Sequence, residues 1–256
     1  MSVDSFVRRS LKTAGLVPGL VNRRKVGDLV LLLYHQVGVD KGEISLTVDA
    51  LERQLRTLSG EDRPMSLDDA LADGERGGVV VTFDDGFRDF HENALPLLVR
   101  HNIPALLYLA TSMVGRPDGV TWGQLQEATS TRLVSVGSHT HGHTDLSHAS
   151  EAEADGEMRK SKELIEDNLG VPCRHFAFPW AVGSEAALRV ADHYFESTAL
   201  EAWRTNRRGR IDPHRLGRTP ILRSDGHAFF RAKVRGMLDS EAAFYRVLGR
   251  GPWRFK

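Results

Sequence analysis

Short apolar runs alternate with amphipathic stretches along most of this chain. The runs are rich in Val, Leu and Phe, which is typical of strands buried on both faces. They lie at 29–33, 79–83, 105–110, 133–136 and 175–178. Apolar residues at three- and four-residue spacing between the runs predict helices. These helices start near Thr47, Ser66 and Asp89 and cover 151–169 and 184–191.

The alternation of strands with helices predicts the class of fold. It indicates a parallel sheet in a single α/β domain, either open or closed into a barrel. The residues with conspicuous chemistry follow directly after strand ends. Because the carboxyl ends of parallel strands meet at one edge, we expect a functional site there.

Composition and charge narrow the possible partners. The chain has 256 residues, which suits one large domain with a sizeable core. Its 34 basic and 34 acidic residues balance, so no nucleic-acid partner is expected. Cys173 is the one cysteine, which favours a reducing compartment. With no apolar run long enough to span a membrane and no secretion-signal pattern, we expect a cytoplasmic protein.

Residues 1–28 are predicted to form a basic helical extension ahead of a catalytic domain at 29–256. The first 25 residues carry six basic side chains and a single acid, Asp4. We expect a solvated helix packed on the domain. The alternative is a weak contact with a membrane surface through residues 1–25, because apolar residues lie between the basic ones.

The first chemical constellation is a pair of acids, Asp84 and Asp85, directly after a buried run. Two adjacent carboxylates there repel each other and lose solvation. A bound cation resolves this: one carboxylate ligates it and the other handles protons. The alternative is a simple Asp-Asp-Gly turn ending at Gly86, with one acid capping the next helix.

The second constellation places three histidines within residues 137–143. His139 and His143 are four residues apart and can face one point if the segment turns tightly. Imidazole suits Zn²⁺, Co²⁺ or Ni²⁺. One Asp and two His leave coordination positions open, which is typical of a catalytic rather than a structural metal site. The free acid would then accept a proton from water.

These two motifs resemble those of the polysaccharide deacetylases, the NodB-homology group also called carbohydrate esterase family 4. TFDDG at 82–86 resembles the family's first motif and SHTHGH at 138–143 its second. Further segments resemble the branch that includes the poly-N-acetylglucosamine deacetylases, and the likeness covers about residues 29–240. These segments are YHQV at 34–37, the Trp122 region, FAFP at 176–179, RLGR at 215–218 and FFRAKVRGML at 229–238.

The resemblance implies a deformed (β/α) barrel of about seven parallel strands. It also implies that Asp84 is the general base. Asp85, His139 and His143 would be the metal ligands, with zinc as the expected metal and cobalt or nickel as alternatives.

The remaining roles rest on the same resemblance. The backbone N–H of Trp180 would stabilise the oxyanion. His35 would be the general acid, with His214 and His227 as fallback candidates. Substrate contacts are expected from Tyr34, Trp122, Pro179 and Arg218.

Three positions depart from the family pattern. Ala177 stands where an Arg often orients the base, Ala181 replaces a Gly, and Gly217 replaces a Pro in a later loop.

The resemblance as a whole implies a metal-dependent N-deacetylase of an N-acetylated amino sugar or glycan. The alternatives are a deformylase or other amide hydrolase acting on a lipid-linked or small-molecule sugar, and a catalytically impaired carbohydrate-binding protein.

Overall fold

Seven parallel strands close into a barrel. The computed structural model describes residues 28–40, 42–61, 64–72, 77–237 and 254–255. Within them the strands are β1 (Leu29–Tyr34), β2 (Gln36–Val37), β3 (Ser45–Leu46), β4 (Gly78–Asp85), β5 (Ala105–Leu109), β6 (Val134–Ser138), β7 (His175–Ala177), β8 (Val182–Gly183), β9 (Ser197–Glu201), β10 (Leu216–Pro220) and β11 (Arg254–Phe255). The barrel strands follow one another in the order β1-β10-β9-β7-β6-β5-β4. The predicted α/β barrel is confirmed. The predicted basic extension and its membrane contact lie outside the described residues, except for Asp28.

Helices surround the barrel and begin and end at residues suited to capping. They are α1 (Val48–Glu61), α2 (Leu67–Ala72), α3 (Leu95–His101), α4 (Trp122–Ser130), α5 (Glu151–Leu169), α6 (Glu185–Tyr194) and α7 (His227–Val234). A π-helical turn, Phe90–Ala94, leads into α3. Ser150 and Glu153 form a capping box at the start of α5. Its C-cap residue is Gly170, with φ 64°. The bounds of this helix, 151–169, are those that the sequence predicts. No helix in the described ranges has the length and apolar composition needed to cross a bilayer.

The barrel strands are buried on both faces, and successive residues point to opposite sides. One set of side chains fills the barrel interior together with α2; on β1 and β5 this set includes Leu29, Leu31, Leu106 and Tyr108. The other set, to which Val30 belongs, packs against the surrounding helices. Because both faces are covered, these strands appear in the sequence as continuous apolar runs.

Strands β9 and β10 complete the barrel, although the sequence predicts no strand at either. The RLGR segment is expected to be a loop, yet β10 pairs in parallel with both β1 and β9. The expectation fails because polar side chains interrupt the apolar pattern of these two strands. Ser197, Thr198, Arg218 and Thr219 are all buried there.

A buried ion pair connects the loop after β10 to α7. Lys233 Nζ lies 2.6 Å from Asp225 Oδ2, and both side chains are fully buried. The ammonium also donates to the Pro220 carbonyl at 2.7 Å and lies over the Trp203 ring. The pair therefore fixes the end of β10 against the last described helix.

Replacing Asp225 by Ala should lower the free energy of unfolding by about 3–5 kcal/mol, because Lys233 would stay buried without a counter-charge. Urea unfolding followed by circular dichroism measures this. The matched control is Arg189→Ala, which breaks an ion pair with Glu151 whose side chains are 64% and 60% exposed. That change should cost less than about 1 kcal/mol. Equal losses of unfolding free energy in the two variants would contradict a special contribution of the buried Asp225–Lys233 pair.

Candidate active site

A cavity of ≈ 680 Å³ opens at the carboxyl ends of the barrel strands. β4 ends at Asp85, and His139 follows β6 directly. Seven of the residues singled out from the sequence line this cavity: His35, Asp84, Asp85, His139, His143, Trp180 and Arg218. The two motifs, more than fifty residues apart in the chain, therefore meet in one place, as expected for the carboxyl edge of a parallel barrel.

Asp85, His139 and His143 converge as a possible metal site. Asp85 Oδ1 lies 3.0 Å from His143 Nε2 and 3.6 Å from His139 Nε2. One candidate ligand atom from each of the three residues lies within 4.8 Å of the others. Burial by itself would raise the pKa of Asp85, but the neighbouring imidazoles, of which His143 is the nearest, outweigh burial and lower that pKa to about 2.

The backbone of Asp85 explains how adjacent acids reach the same cavity. Asp84 points into the barrel, so strict alternation would turn Asp85 towards the helices. Asp85 instead has φ 74°, in the left-handed region that side chains rarely adopt. Such strain costs on the order of 1–3 kcal/mol and is concentrated at functional sites. Gly86, with φ 90°, continues the turn.

The hydrogen bond of His139 leaves its other nitrogen available as a ligand. Nδ1 lies 2.7 Å from the Ala177 carbonyl, which can only accept, so Nδ1 carries the proton. Burial lowers the pKa of His139, although Asp84 and Asp85 act in the opposite direction, so the ring is neutral near pH 7. The Nε2 lone pair then faces carboxylate oxygens at 3.6 and 3.7 Å. A cation between them removes this repulsion, so the residues fit a divalent metal.

The loop that carries His143 is held from two sides. Gly142 N donates to Glu157 Oε2 of α5 at 2.7 Å. Trp180 Nε1 donates to the His143 carbonyl at 3.1 Å, and the Trp180 ring meets the His143 ring edge-on at 4.8 Å. His141 lies between the two candidate ligands in sequence, but its Nδ1 contacts Thr111 Oγ1 at 2.9 Å and it does not line the cavity.

Arg218 holds Asp84 in a bidentate pair. Its Nη1 and Nη2 donate to Asp84 Oδ1 and Oδ2 at 2.5 and 2.8 Å, and both side chains are buried. The guanidinium also lies over the Tyr108 ring. Burial by itself would raise the pKa of Asp84, but the charge of Arg218 and its hydrogen bonds outweigh burial and hold that pKa below its ordinary value.

This pair gives Arg218 a structural role beside its predicted contact with substrate. Arg218 does line the cavity, but both of its terminal nitrogens are bonded to Asp84. It therefore orients the carboxylate, a task that the resemblance assigns to an Arg at the position of Ala177. Ala177 accepts from His139 through its backbone instead.

The other three residues predicted to contact substrate lie outside the cavity lining. Tyr34 is fully buried, and its hydroxyl donates to Gln54 rather than facing the cavity. Trp122 begins α4 and packs against the helix-facing core, outside the cavity lining. Pro179 is buried beside Trp180 and does not line the cavity either. All three follow the family pattern in sequence, but their side chains serve packing.

The structure separates the three histidines considered as general acid. His35 lines the cavity, directly after β1. His214 pairs with Asp192 at 3.0 Å and lies outside the cavity lining. His227 begins α7 and lines a different cavity. Geometry therefore favours His35.

Several lining residues were not predicted from the sequence. Apolar and aromatic side chains at the cavity are Ile44, Phe87 and Met113, joined by the charged Arg116 and Glu201. Glu201 ends β9, and its carboxylate accepts from Trp203 Nε1 at 2.6 Å. They belong to separate loops and strand ends, and no local motif distinguishes them.

Comparisons with known proteins agree with this architecture. Residues 72–194 match the family described as polysaccharide deacetylase. YxkH of Bacillus subtilis, a protein named provisionally as a polysaccharide deacetylase, is 24% identical over 179 residues, or 67% of this chain and 63% of that protein. The poly-beta-1,6-N-acetyl-D-glucosamine N-deacetylase of Staphylococcus aureus strain MRSA252 is 27% identical over 165 residues, or 57% of each. The chain thus spans about three-fifths of the length of these relatives.

Solved structures share the fold. The deacetylase PplD of Streptococcus pyogenes, solved in complex with acetate, superimposes with a TM-score of 0.75 and 22% identity over 83% of this chain and 99% of that one. IcaB from Ammonifex degensii gives 0.71 and 24%, over 82% and 97%. Residues 72–194 thus match the polysaccharide deacetylase family, and the barrel has the fold of these solved structures.

Proposed function

We propose that this chain is a metal-dependent N-deacetylase that hydrolyses the amide of an N-acetylated amino sugar or glycan, giving acetate and a free amine. The observation that carries the proposal is the convergence of Asp85, His139 and His143 beside a second acid, Asp84, that is held separately. The name of the Staphylococcus aureus relative supports an N-acetylglucosamine polymer as the class of substrate.

Asp85, His139 and His143 would hold the divalent cation. Their mixture of imidazole and carboxylate favours zinc, with cobalt and nickel as alternatives. When bound there, the cation supplies Lewis acidity that polarises the acyl carbonyl and lowers the pKa of water. The protein fixes the ligands beforehand through the His139–Ala177 hydrogen bond and the Trp180–His143 contact.

Asp84 is the proposed general base. Its low pKa keeps the carboxylate ionised near neutral pH, so it can accept the proton of the attacking water. Each carboxylate oxygen has a second lone pair beyond the one bonded to Arg218. The fork of Arg218 fixes the plane in which those lone pairs point.

His35 is the proposed general acid, because it lines the same cavity as the base. It would protonate the departing amine, which is a poor leaving group without a proton.

Trp180 is 66% exposed at this cavity. Its backbone N–H is the proposed donor to the developing oxyanion, as the resemblance implies.

Two alternatives remain: an enzyme that removes a different acyl group, and a protein that binds carbohydrate without catalytic activity. Nothing in the cavity separates a formyl from an acetyl group, so a deformylase acting on a lipid-linked or small-molecule sugar is kept as the second candidate. A binding protein without activity is disfavoured because base, base-orienting Arg218 and all three ligand residues are in place.

Metal-loaded protein should release acetate from N-acetylated glucosamine oligomers, polymers, or nucleotide- or lipid-linked forms, measured with a coupled acetate assay beside a formate assay. Asp84→Asn should lower kcat by about 10²-fold or more, because the base is lost. Formate without acetate would establish the second candidate. If no substrate released either acid, or if Asp84→Asn matched wild type, the proposal would be rejected.

Metal affinity should depend on the three ligand residues. His139→Ala, His143→Ala and Asp85→Ala should each weaken zinc binding more than about a hundred-fold, since even outer-shell changes cost ten- to a hundred-fold. Competition with a fluorescent chelator measures this. His141→Ala, in the same loop but outside the cavity, should bind zinc like wild type, as should Asp84→Asn. Equal losses in His141→Ala would show that the loop merely misfolds.

Removing Arg218 should shift the pH profile. Burial alone raises the pKa of Asp84, so in Arg218→Met the base ionises only at higher pH. The acidic limb of kcat/KM should therefore move to higher pH while zinc affinity is kept. Arg218→Lys should shift it less, because charge remains without the bidentate fork. Arg215→Met, which removes an exposed Arg on the same segment, is the control and should leave the profile unchanged.

A further inference from the structure

The backbone of Val37 is held at its N–H and at its carbonyl by the segment that follows the Asp84-Asp85-Gly86 motif. Val37 N donates to Asp89 Oδ1 at 3.0 Å, and Asn93 Nδ2 donates to the Val37 carbonyl at 2.7 Å. Val37 lies two residues after His35.

Asp89 makes this contact across the fold rather than within its own helix. It directly precedes the π-helical turn with helical backbone angles, φ −63° and ψ −19°, and its side chain makes no capping hydrogen bond. The carboxylate reaches instead to a strand 52 residues earlier. π-Helical turns are rare and occur often at functional sites. Here the turn places Asp89 and Asn93, four residues apart, against the backbone of one residue.

The neighbouring backbone leaves little freedom. A Cβ added at Gly38, which has φ 87°, would lie 2.7 Å from Asn93 Nδ2. Gly38 N also donates to the Leu46 carbonyl at 2.7 Å. The segment after His35 is therefore fixed between β3 on one side and the π-helical turn on the other.

We propose that Asp89 and Asn93 are positioning residues for His35. They tie the backbone beyond His35 to the segment that directly follows Asp84 and Asp85, so the proposed acid, base and metal ligand keep fixed relative positions. A displacement of about 1 Å in such a group can cost on the order of 10²-fold in rate. The inference deepens the proposed function and rests on it for the role of His35.

The test compares two substrates with different leaving groups. An N-acetyl amide needs a proton on its departing nitrogen, whereas the phenolate of 4-nitrophenyl acetate leaves without one. In Asp89→Ala and Asn93→Ala, kcat for the amide should fall by about ten-fold or more, with KM and zinc affinity kept. The ester rate should stay within about two-fold of wild type, because base and metal site are untouched. Asp89→Asn keeps an oxygen acceptor and should recover most of the amide rate.

Two control variants remove similar contacts elsewhere. Asp212→Ala removes a carboxylate that accepts from His214 N at 3.0 Å, and Asn168→Ala removes an amide that donates to the Leu164 carbonyl at 2.8 Å. Both lie outside the cavity lining and should keep both rates. Equal falls of amide and ester rates in Asp89→Ala, or falls as large in the controls, would overturn the positioning role.

Failure of the proposed function gives a different pattern. Wild-type protein without any acyl release, or a His35→Gln variant with unchanged amide kcat, would remove the role of His35 itself. Amide hydrogen exchange at Val37 tests the contact without substrate. It should accelerate about ten-fold or more in Asp89→Ala and not in Asp212→Ala, since a lost hydrogen bond opens the peptide to water. Unchanged exchange at Val37 would overturn the inference even in an active enzyme.

Discussion

The structure depends on how two adjacent carboxylates are tolerated at the end of a buried strand. Asp84 and Asp85 cannot both lose water in one cavity without compensating charge. Arg218 neutralises the first through a buried bidentate pair, while His139 and His143 surround the second. Because each acid has its own partners, the two carboxylates suit the different roles that we propose for them, a free base and a metal ligand.

The alternation of side chains along the barrel strands places Asp84 and Arg218 inside the barrel, and Asp85 departs from that alternation. Thr82 and Asp84 of β4 and Arg218 of β10 face inward because alternate residues share a side, and the closed sheet brings β4 and β10 to either side of β1. Asp85 would point outward but for its left-handed backbone. The strain at Asp85 is thus the local cost of directing neighbouring acids into the same cavity, and the packed barrel around it keeps that conformation in place.

Hydrogen bonds connect the loops at the rim of the cavity to the segments that carry the proposed catalytic residues. Asp89, after Gly86, accepts from the backbone two residues beyond His35. Trp180 donates to the backbone of His143. These short links limit the movement of the proposed proton donor and of the proposed ligand loop, which suits a reaction that needs several groups in fixed positions.

The sequence by itself determined the strand–helix alternation, the bounds of α5, and the grouping of Asp84-Asp85 with His139 and His143 as residues suited to a metal site. Those features depend on local periodicity, on backbone preferences and on residue chemistry, which neighbouring positions encode. Only the tertiary structure decided that β9 and β10 are strands, that Arg218 orients Asp84 and that Tyr34 belongs to the core. Burial and pairing between separate segments, 134 residues apart for Arg218 and Asp84, set these outcomes. No local pattern records which distant side chain will compensate a buried charge.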